Sequence, residues 1–199
     1  MDEGLIGLLR RPTWFSVDLD TVESNFQDMK KIVGEGVRIA AVLKAYAYWH
    51  GAVPVARVLL AAGASALAVA ALSEALELRR AIGDAEILVM GYTPGCLADL
   101  AVFHGIVPTV FSLENARAFS EAALARGTCI PIQIKLDTGM NRLGIKPYED
   151  PVSVIESISM LKGVSIGGIF THLALRTGNP ISASFPCMKK SSATASSRE

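Results

Sequence analysis

The stretch Val37–Ala47, V-R-I-A-A-V-L-K-A-Y-A, carries the first indication of the architecture. Its apolar run predicts a strand, Val37–Lys44, that is buried on both faces like the strands of parallel sheets. Lys44 ends this strand, and the carboxyl ends of parallel strands are where α/β sheets and barrels place their chemistry. Partial desolvation favours the neutral amine there, so Lys44 is a candidate for Schiff-base formation with a carbonyl cofactor. The alternative is a lysine that leaves the sheet and extends into solvent.

The composition is that of a globular protein. The 199 residues suffice for one domain with a core, and 51% are hydrophobic while only 19% are charged. Lys plus Arg and Asp plus Glu both number 19, a balance that argues against nucleic-acid binding. No window is apolar enough for a membrane span, and the acidic start of Met1–Pro12 is the reverse of a secretory signal. The three cysteines lack the paired spacing of a disulfide framework or a metal site. We therefore expect a cytoplasmic protein without a structural metal.

Apolar runs alternate with helical patterns along the chain. Strands are predicted at Trp14–Leu19, Val37–Lys44, Ala66–Ala71, Glu86–Met90, Ile106–Phe111, Ile130–Leu136 and Val164–Phe170. Helices are predicted at 20–31, 53–62, 73–82, 95–103, 112–126 and 150–163, the first with Asp20 as N-cap and Glu23 in a capping box. The alternation implies a parallel sheet with helical crossovers.

Two architectures fit about six β/α units counted from Val37: a doubly wound sheet and an incomplete (β/α)8 TIM-type barrel. A complete barrel needs about 250 residues, so this chain would lack two units. No Gly-x-Gly-x-x-Gly follows a strand, which weakens the doubly wound interpretation. The partial barrel is expected to occupy residues 1–174. Residues 175–199 are serine-rich without a helical or strand period, and we expect an irregular or disordered tail there.

Three polar stretches each follow a predicted strand. They are Lys44–Gly51 (K-A-Y-A-Y-W-H-G), Lys135–Gly144 (K-L-D-T-G-M-N-R-L-G) and Gly168–Ala174 (G-I-F-T-H-L-A). With these stretches in this order, the chain resembles the alanine racemase family, whose members use pyridoxal 5′-phosphate (PLP). The resemblance covers the family's N-terminal barrel up to its sixth strand, roughly from Thr13 to Ala174. Further matches to the family's spacing are Phe15–Asp20 with Asn25, and Ser73–Arg79.

The resemblance implies roles for five side chains. Lys44 would carry PLP as a Schiff base and act as one of two proton-transfer bases. Tyr48 would hydrogen-bond the cofactor phosphate, and Arg142 would approach the phenolic oxygen of the cofactor and help hold the substrate carboxylate. The lysine matching Lys135 is carbamylated in many members and positions that arginine. His172 would lie close to the cofactor ring.

The implied function is PLP-dependent interconversion of L-alanine and D-alanine, which feeds peptidoglycan synthesis, with serine racemisation as a close variant. The family analogy also implies a homodimer. The family's seventh and eighth strands, and the C-terminal β-domain whose tyrosine supplies the opposite base, have no counterpart in the sequence. We therefore expect the truncated chain to be inactive or impaired alone. The alternatives are a PLP-binding barrel that acts as a carrier or regulatory module, and a non-functional fragment.

This chain departs from the family in its lysine motif, which usually runs Lys-Ala-Asn-Ala-Tyr-Gly-His-Gly. Tyr46 stands at the asparagine and Trp49 at the first glycine. A glycine position often needs a positive φ or close approach to a ligand, and tryptophan supplies neither cheaply. The departure therefore bears on the geometry around Tyr48.

Each site residue also has a simpler interpretation. In these simpler interpretations, Lys135 and Asp137 form an ordinary ion pair at the strand end. Arg142 pairs with Asp137 or Glu149, and His172 is a hydrogen-bonded core histidine. Tyr48 merely covers the end of the barrel.

Overall fold

A computed structural model describes residues 16–174. The six strands are β1 (Ala40–Val42), β2 (Ala66–Val69), β3 (Ile87–Tyr92), β4 (Val107–Val110), β5 (Ile130–Leu136) and β6 (Val164–Thr171). The right-handed helices are α1 (Leu19–Val33), α2 (Ala52–Ala61), α3 (Leu72–Ile82), α4 (Ala98–Phe103), α5 (Leu113–Ala125) and α6 (Pro151–Ser159). Short 3-10 helices cover Gly95–Leu97 and Pro147–Glu149. From Val37 onward, each predicted strand has an observed counterpart.

The six strands form one parallel sheet in the order β1-β2-β3-β4-β5-β6. A doubly wound sheet reverses its strand order at a switch point, whereas this sheet adds each strand beside its predecessor. The order confirms the incomplete α/β barrel. Within the described residues, β1 and β6 are the two edges of the sheet.

The two faces of the sheet have different partners. Alternate strand residues, among them Leu67, Ile87 and Ile132, are fully buried in a core shared with the helices. The residues between them face the barrel interior, and the register places Gln133 opposite Thr109 on β4. Lys135 lies two residues beyond Gln133 and shares its face. The register thus places Lys135 in the interior at the carboxyl end of β5.

The first predicted elements need correction. Residues 16–18 are not a strand, and α1 already begins at Leu19. Asp18, not Asp20, is the N-cap, because its carboxylate accepts hydrogen bonds from the backbone N–H groups of Asp20 at 3.0 Å and Thr21 at 3.1 Å. The Thr21 hydroxyl donates to the same carboxylate at 2.8 Å, a contact that a cap at Asp20 would lack. The rest of the predicted strand, Trp14 and Phe15, lies outside the described residues.

The strand predicted at Val37–Lys44 is shorter in the structure. Only Ala40–Val42 pair with β2, and the chain turns sharply from Lys44 onward. The predicted tail, 175–199, lies outside the described residues and stays a prediction. Among residues 16–174, no helix is both long and apolar enough to cross a membrane.

Gly163, between α6 and β6, offers a test of this packing. Its N–H donates to the Ser120 hydroxyl on α5 at 3.1 Å, and an added Cβ would lie 2.1 Å from the Ser120 carbonyl oxygen. We expect Gly163→Ala to lower the free energy of unfolding by about 2–3 kcal/mol, measured by urea denaturation, because backbone must move to admit the methyl group. Gly167→Ala, whose Cβ meets nothing closer than 3.4 Å, is the control. Equal losses in both variants would contradict the packing.

Candidate functional site

Lys44 is followed by a left-handed turn, Ala45–Trp49. All five residues have positive φ, between 51° and 68°. Internal hydrogen bonds join the Ala47 N–H to the Leu43 carbonyl at 2.8 Å and the Trp49 N–H to the Ala45 carbonyl at 3.0 Å. Left-handed helical backbone costs an L-residue roughly 1–2 kcal/mol, so the surrounding structure must stabilise the turn.

Two residues of the left-handed turn are ill suited to it. Tyr46 has φ 57° and Trp49 has φ 68°, at the positions where the family motif has asparagine and glycine. Asparagine and glycine are the residues that adopt this backbone most readily. The side chain of Trp49 is 76% exposed and so recovers little of the cost by packing. The departures from the family therefore raise the energy of the turn without preventing it.

Glu74, in the first turn of α3, anchors the left-handed turn from outside. One carboxylate oxygen accepts from the Ala45 N–H at 2.7 Å, and the other accepts from the N–H groups of Ala70 at 2.8 Å and Ala71 at 3.1 Å. The sequence places Glu74 at the start of a predicted helix and within the Ser73–Arg79 match to the family, and indicates no role for its carboxylate. A glutamate at the third position of a helix signals the bond to Ala71, but no local pattern signals the bond to Ala45.

Asp137 organises the loop after β5 in a similar way. One carboxylate oxygen accepts from the N–H groups of Gly139 at 3.1 Å and Asn141 at 3.0 Å, and the other from the Arg142 N–H at 2.9 Å. These bonds fix the backbone that carries Arg142. Within residues 16–174, the ion pairs do not include Asp137 with Lys135, nor Arg142 with any carboxylate, so the simpler ion-pair interpretations are wrong there.

The pKa of Asp137 reflects these donors. Burial of the carboxyl group raises its pKa, but the three backbone hydrogen bonds, with the nearby charge of Lys146, outweigh burial and hold the pKa below its usual value. The ionised form is therefore the one that organises the loop.

Lys135 is almost fully buried, with 6% exposure, and its Nζ lies 5.3 Å from the centre of the Phe170 ring. Burial lowers its pKa, the positive charges of Arg142 and Lys44 lower it further, and Asp137 opposes them. Lys44 follows β1 and Lys135 lies at the end of β5, so parallel pairing places both residues at the carboxyl edge of the sheet.

The structure gathers the five predicted site residues into two groups. Lys135, Arg142 and His172 line one narrow crevice at the ends of β5 and β6. Lys44 is half-buried, and its Nζ lies 5.8 Å from the centre of the Tyr48 ring. His172 is exposed, so it is not a core histidine.

Both groups lie at the carboxyl edge of the parallel sheet, the barrel mouth. Three cationic side chains lie there with a phenol and an imidazole, and a small anion with several oxygen atoms suits such donors. The roles of the five residues in catalysis and cofactor binding stay predictions.

Fold and site together define a class: an incomplete parallel α/β barrel with a lysine-centred, cationic site at the carboxyl ends of its strands. The family profile described as "Alanine racemase, N-terminal domain" matches residues 17–195, and the chain belongs to that family.

Relatives and solved structures agree. The alanine racemase of Clostridium tetani is 44% identical over 164 residues, which are 82% of this chain and 42% of that protein. An alanine racemase of Clostridium difficile 630, in complex with cycloserine, superposes with a TM-score of 0.80 at 36% identity, over 84% of this chain and 46% of its own. A histidine racemase of Leuconostoc mesenteroides gives a TM-score of 0.73 at 32% identity, over 79% and 42%. The chain thus spans less than half the length of these proteins.

The cost of the left-handed turn can be measured through Trp49. We expect Trp49→Gly to raise the free energy of unfolding by roughly 0.5–1 kcal/mol, because glycine adopts positive φ without steric cost and little packing is lost. Urea denaturation of the two proteins provides the measurement. Tyr148→Gly is the matched control, since Tyr148 is also exposed (77%) but has no positive φ. The control should lose stability, and a loss in Trp49→Gly as well would contradict the account.

Asp137 should make stability depend on pH. A carboxyl group whose folded pKa lies below the unfolded value of about 3.9 stabilises the fold above that value, and the contribution is lost as pH falls through the folded pKa. We expect Asp137→Asn to be less stable than the wild-type chain near pH 6, and the difference to shrink towards about pH 3. Urea denaturation across this range tests the expectation. Asp28→Asn, a change at an exposed carboxylate, should leave the profile unaltered. A constant difference between wild type and Asp137→Asn would refute the assignment.

Proposed function

We propose that this chain is the PLP-binding half of an amino-acid racemase and that Lys44 carries the cofactor. The observation that carries the proposal is the placement of three cations at the carboxyl edge of the sheet in a chain of the alanine racemase family. Lys44 follows β1, and Lys135 and Arg142 line one crevice at the end of β5. A phosphorylated cofactor is strongly anionic, and cationic donors at the ends of parallel strands suit it.

The residues present fit PLP in part. Lys44 supplies a primary amine on a half-buried stem, Tyr48 a phenol beside it, and Arg142 a guanidinium on a backbone fixed by Asp137. In (β/α)8 enzymes the phosphate commonly rests on loops after the last two strands, and residues 16–174 contain six strands. We propose that the remaining phosphate contacts come from a segment beyond this described part.

PLP, when bound, withdraws electrons from the substrate α-carbon and so acidifies its hydrogen. Lys44 would take or return that proton on one face, as a positioned general base. Arg142 would hold the substrate carboxylate with its planar fork. Tyr48 would hydrogen-bond the phosphate, and His172 would lie against the cofactor ring. The base for the opposite face would come from a tyrosine outside this barrel, contributed in a homodimer.

Lys135 is proposed to be carbamylated. Its lowered pKa leaves more of the neutral amine, which attacks carbon dioxide to form a carbamate while the amine proton passes to solvent. The product carries a negative charge among the positive charges of Arg142 and Lys44, where the ammonium form carries a third positive charge. The carbamate would accept hydrogen bonds from Arg142 and hold its side chain towards the mouth.

We propose alanine as the substrate, because relatives at 44% and 41% identity are alanine racemases. An alanine racemase of Bacillus anthracis with bound L-Ala-P, 37% identical, has the same fold with a TM-score of 0.75. The histidine racemase with this fold supports a scaffold that admits substrate side chains other than that of alanine. Serine racemisation is the close variant of this proposal. A cytoplasmic role in supplying D-alanine for peptidoglycan is part of the same proposal.

Trapping with borohydride tests the role of Lys44. The purified chain is mixed with PLP, reduced, and mapped by mass spectrometry, and we expect a single stoichiometric adduct on Lys44. Lys44→Arg should abolish it while keeping the charge, and Lys162→Arg, at an exposed lysine beyond the opposite end of the sheet, should leave it intact. Scattered labelling of surface lysines, or stoichiometric labelling that survives in Lys44→Arg, would refute the proposal. The chain alone should not racemise alanine at the rate of complete family members.

A further inference from the structure

The Glu74 carboxylate joins two backbone segments that are remote in sequence. It lies at the amino end of α3, accepts from the two residues before that helix, Ala70 and Ala71, and accepts from Ala45 with its other oxygen. Ala70 directly follows β2, and Ala45 directly follows Lys44. One side chain therefore connects the loops after two neighbouring strands at the site edge of the sheet.

The bond to Ala45 acts at the place where the backbone reverses its handedness. Leu43 still donates its N–H to the Ala68 carbonyl of β2 at 2.8 Å, so the sheet holds the chain up to this residue. From Ala45 onward the backbone is left-handed. Lys44 lies between these two points, and the direction of its side chain depends on both.

The Ala45 N–H has Glu74 as its partner where the left-handed turn begins. The first N–H groups of any helical turn lack partners within the turn, and a carboxylate is a strong acceptor for them. Its bonds to the Ala70 and Ala71 N–H groups hold the carboxylate on α3, so the turn is tied to a rigid element. Without the bond from Ala45 to Glu74, only the internal hydrogen bonds and the flanking sheet would stabilise the unfavourable backbone of the left-handed turn.

We infer that Glu74 is a positioning residue for Lys44: it fixes the left-handed turn and thereby aims the Lys44 amine at the barrel mouth. This role rests on the proposed function of Lys44 as the residue that carries PLP. Glu74 acts through the Ala45 backbone and is not a catalytic residue.

Two variants separate the tie to Ala45 from the cap on α3. Glu74→Ala removes all three bonds. Glu74→Asp keeps the charge near the Ala70 and Ala71 N–H groups, but its shorter side chain falls short of Ala45. Glu77→Gln is the matched control, because Glu77 is an exposed glutamate on the same helix. Ile158→Val, at the buried core position of α6, controls for a general loss of stability.

The first readout is amide hydrogen exchange of residues 45–51 in the 199-residue chain without PLP. In both Glu74 variants we expect these amides to exchange about tenfold faster or more, which is the effect of losing one charge-assisted hydrogen bond, while β3 and β5 keep their protection. Glu77→Gln and Ile158→Val should leave residues 45–51 unchanged relative to the rest of the chain. Unchanged exchange in Glu74→Asp would overturn the inference.

The second readout is the pH profile of borohydride trapping with PLP at Lys44. We expect the Glu74 variants to lose about tenfold in the rate of Lys44 labelling and to change its pH dependence, while labelling of surface lysines stays constant. If Glu74 only stabilised the fold, the rate of Lys44 labelling would also fall in Ile158→Val. That result would count against the inference. If the wild-type chain gives no Lys44 adduct, the proposed function fails, whereas the exchange experiment still decides whether Glu74 holds the turn.

Discussion

Parallel pairing makes all six strands end at the same edge of the sheet, and the site depends on this constraint. Lys44 follows β1, Lys135 ends β5 and His172 follows β6, although they are far apart in sequence. These side chains lie at the same edge of the sheet without any direct contact among them being required, because the pairing of the strands fixes their positions.

Two carboxylates turn this coarse placement into a defined geometry. Glu74 and Asp137 each accept three backbone N–H groups and each sits beside a loop that carries a site cation. Neither forms an ion pair with that cation within residues 16–174. A carboxylate that is fully engaged with backbone donors stabilises a loop while leaving the neighbouring cation available to an anionic ligand. The loops after β1 and β5 thus use the same chemistry for the same purpose.

The sequence predicted the elements with a strong physical signal and missed those without one. Ile130–Leu136 was predicted to the residue because a long apolar run is bounded by polar turns. The cap of α1 was misplaced by two residues because Asp18 and Asp20 carry the same side chain, and only the observed hydrogen bonds from Asp20 and Thr21 to Asp18 distinguish them. The left-handed turn carries tyrosine and tryptophan, which ordinarily argue against such a backbone. The hydrogen bond between Glu74 and Ala45 joins distant parts of the chain, so no periodic pattern in the sequence predicts it.

The strand order has a consequence for how the sheet can form. Every strand pairs with the strand made just before it, so the sheet can grow in the direction of synthesis, one β/α unit at a time. At each stage the latest strand presents a free row of N–H and C=O groups to which its successor adds. On a polysome, the same row is open to a strand from a neighbouring nascent chain until the successor arrives. The speed of elongation through the helices between successive strands, α2 to α6, therefore sets how long that competition lasts.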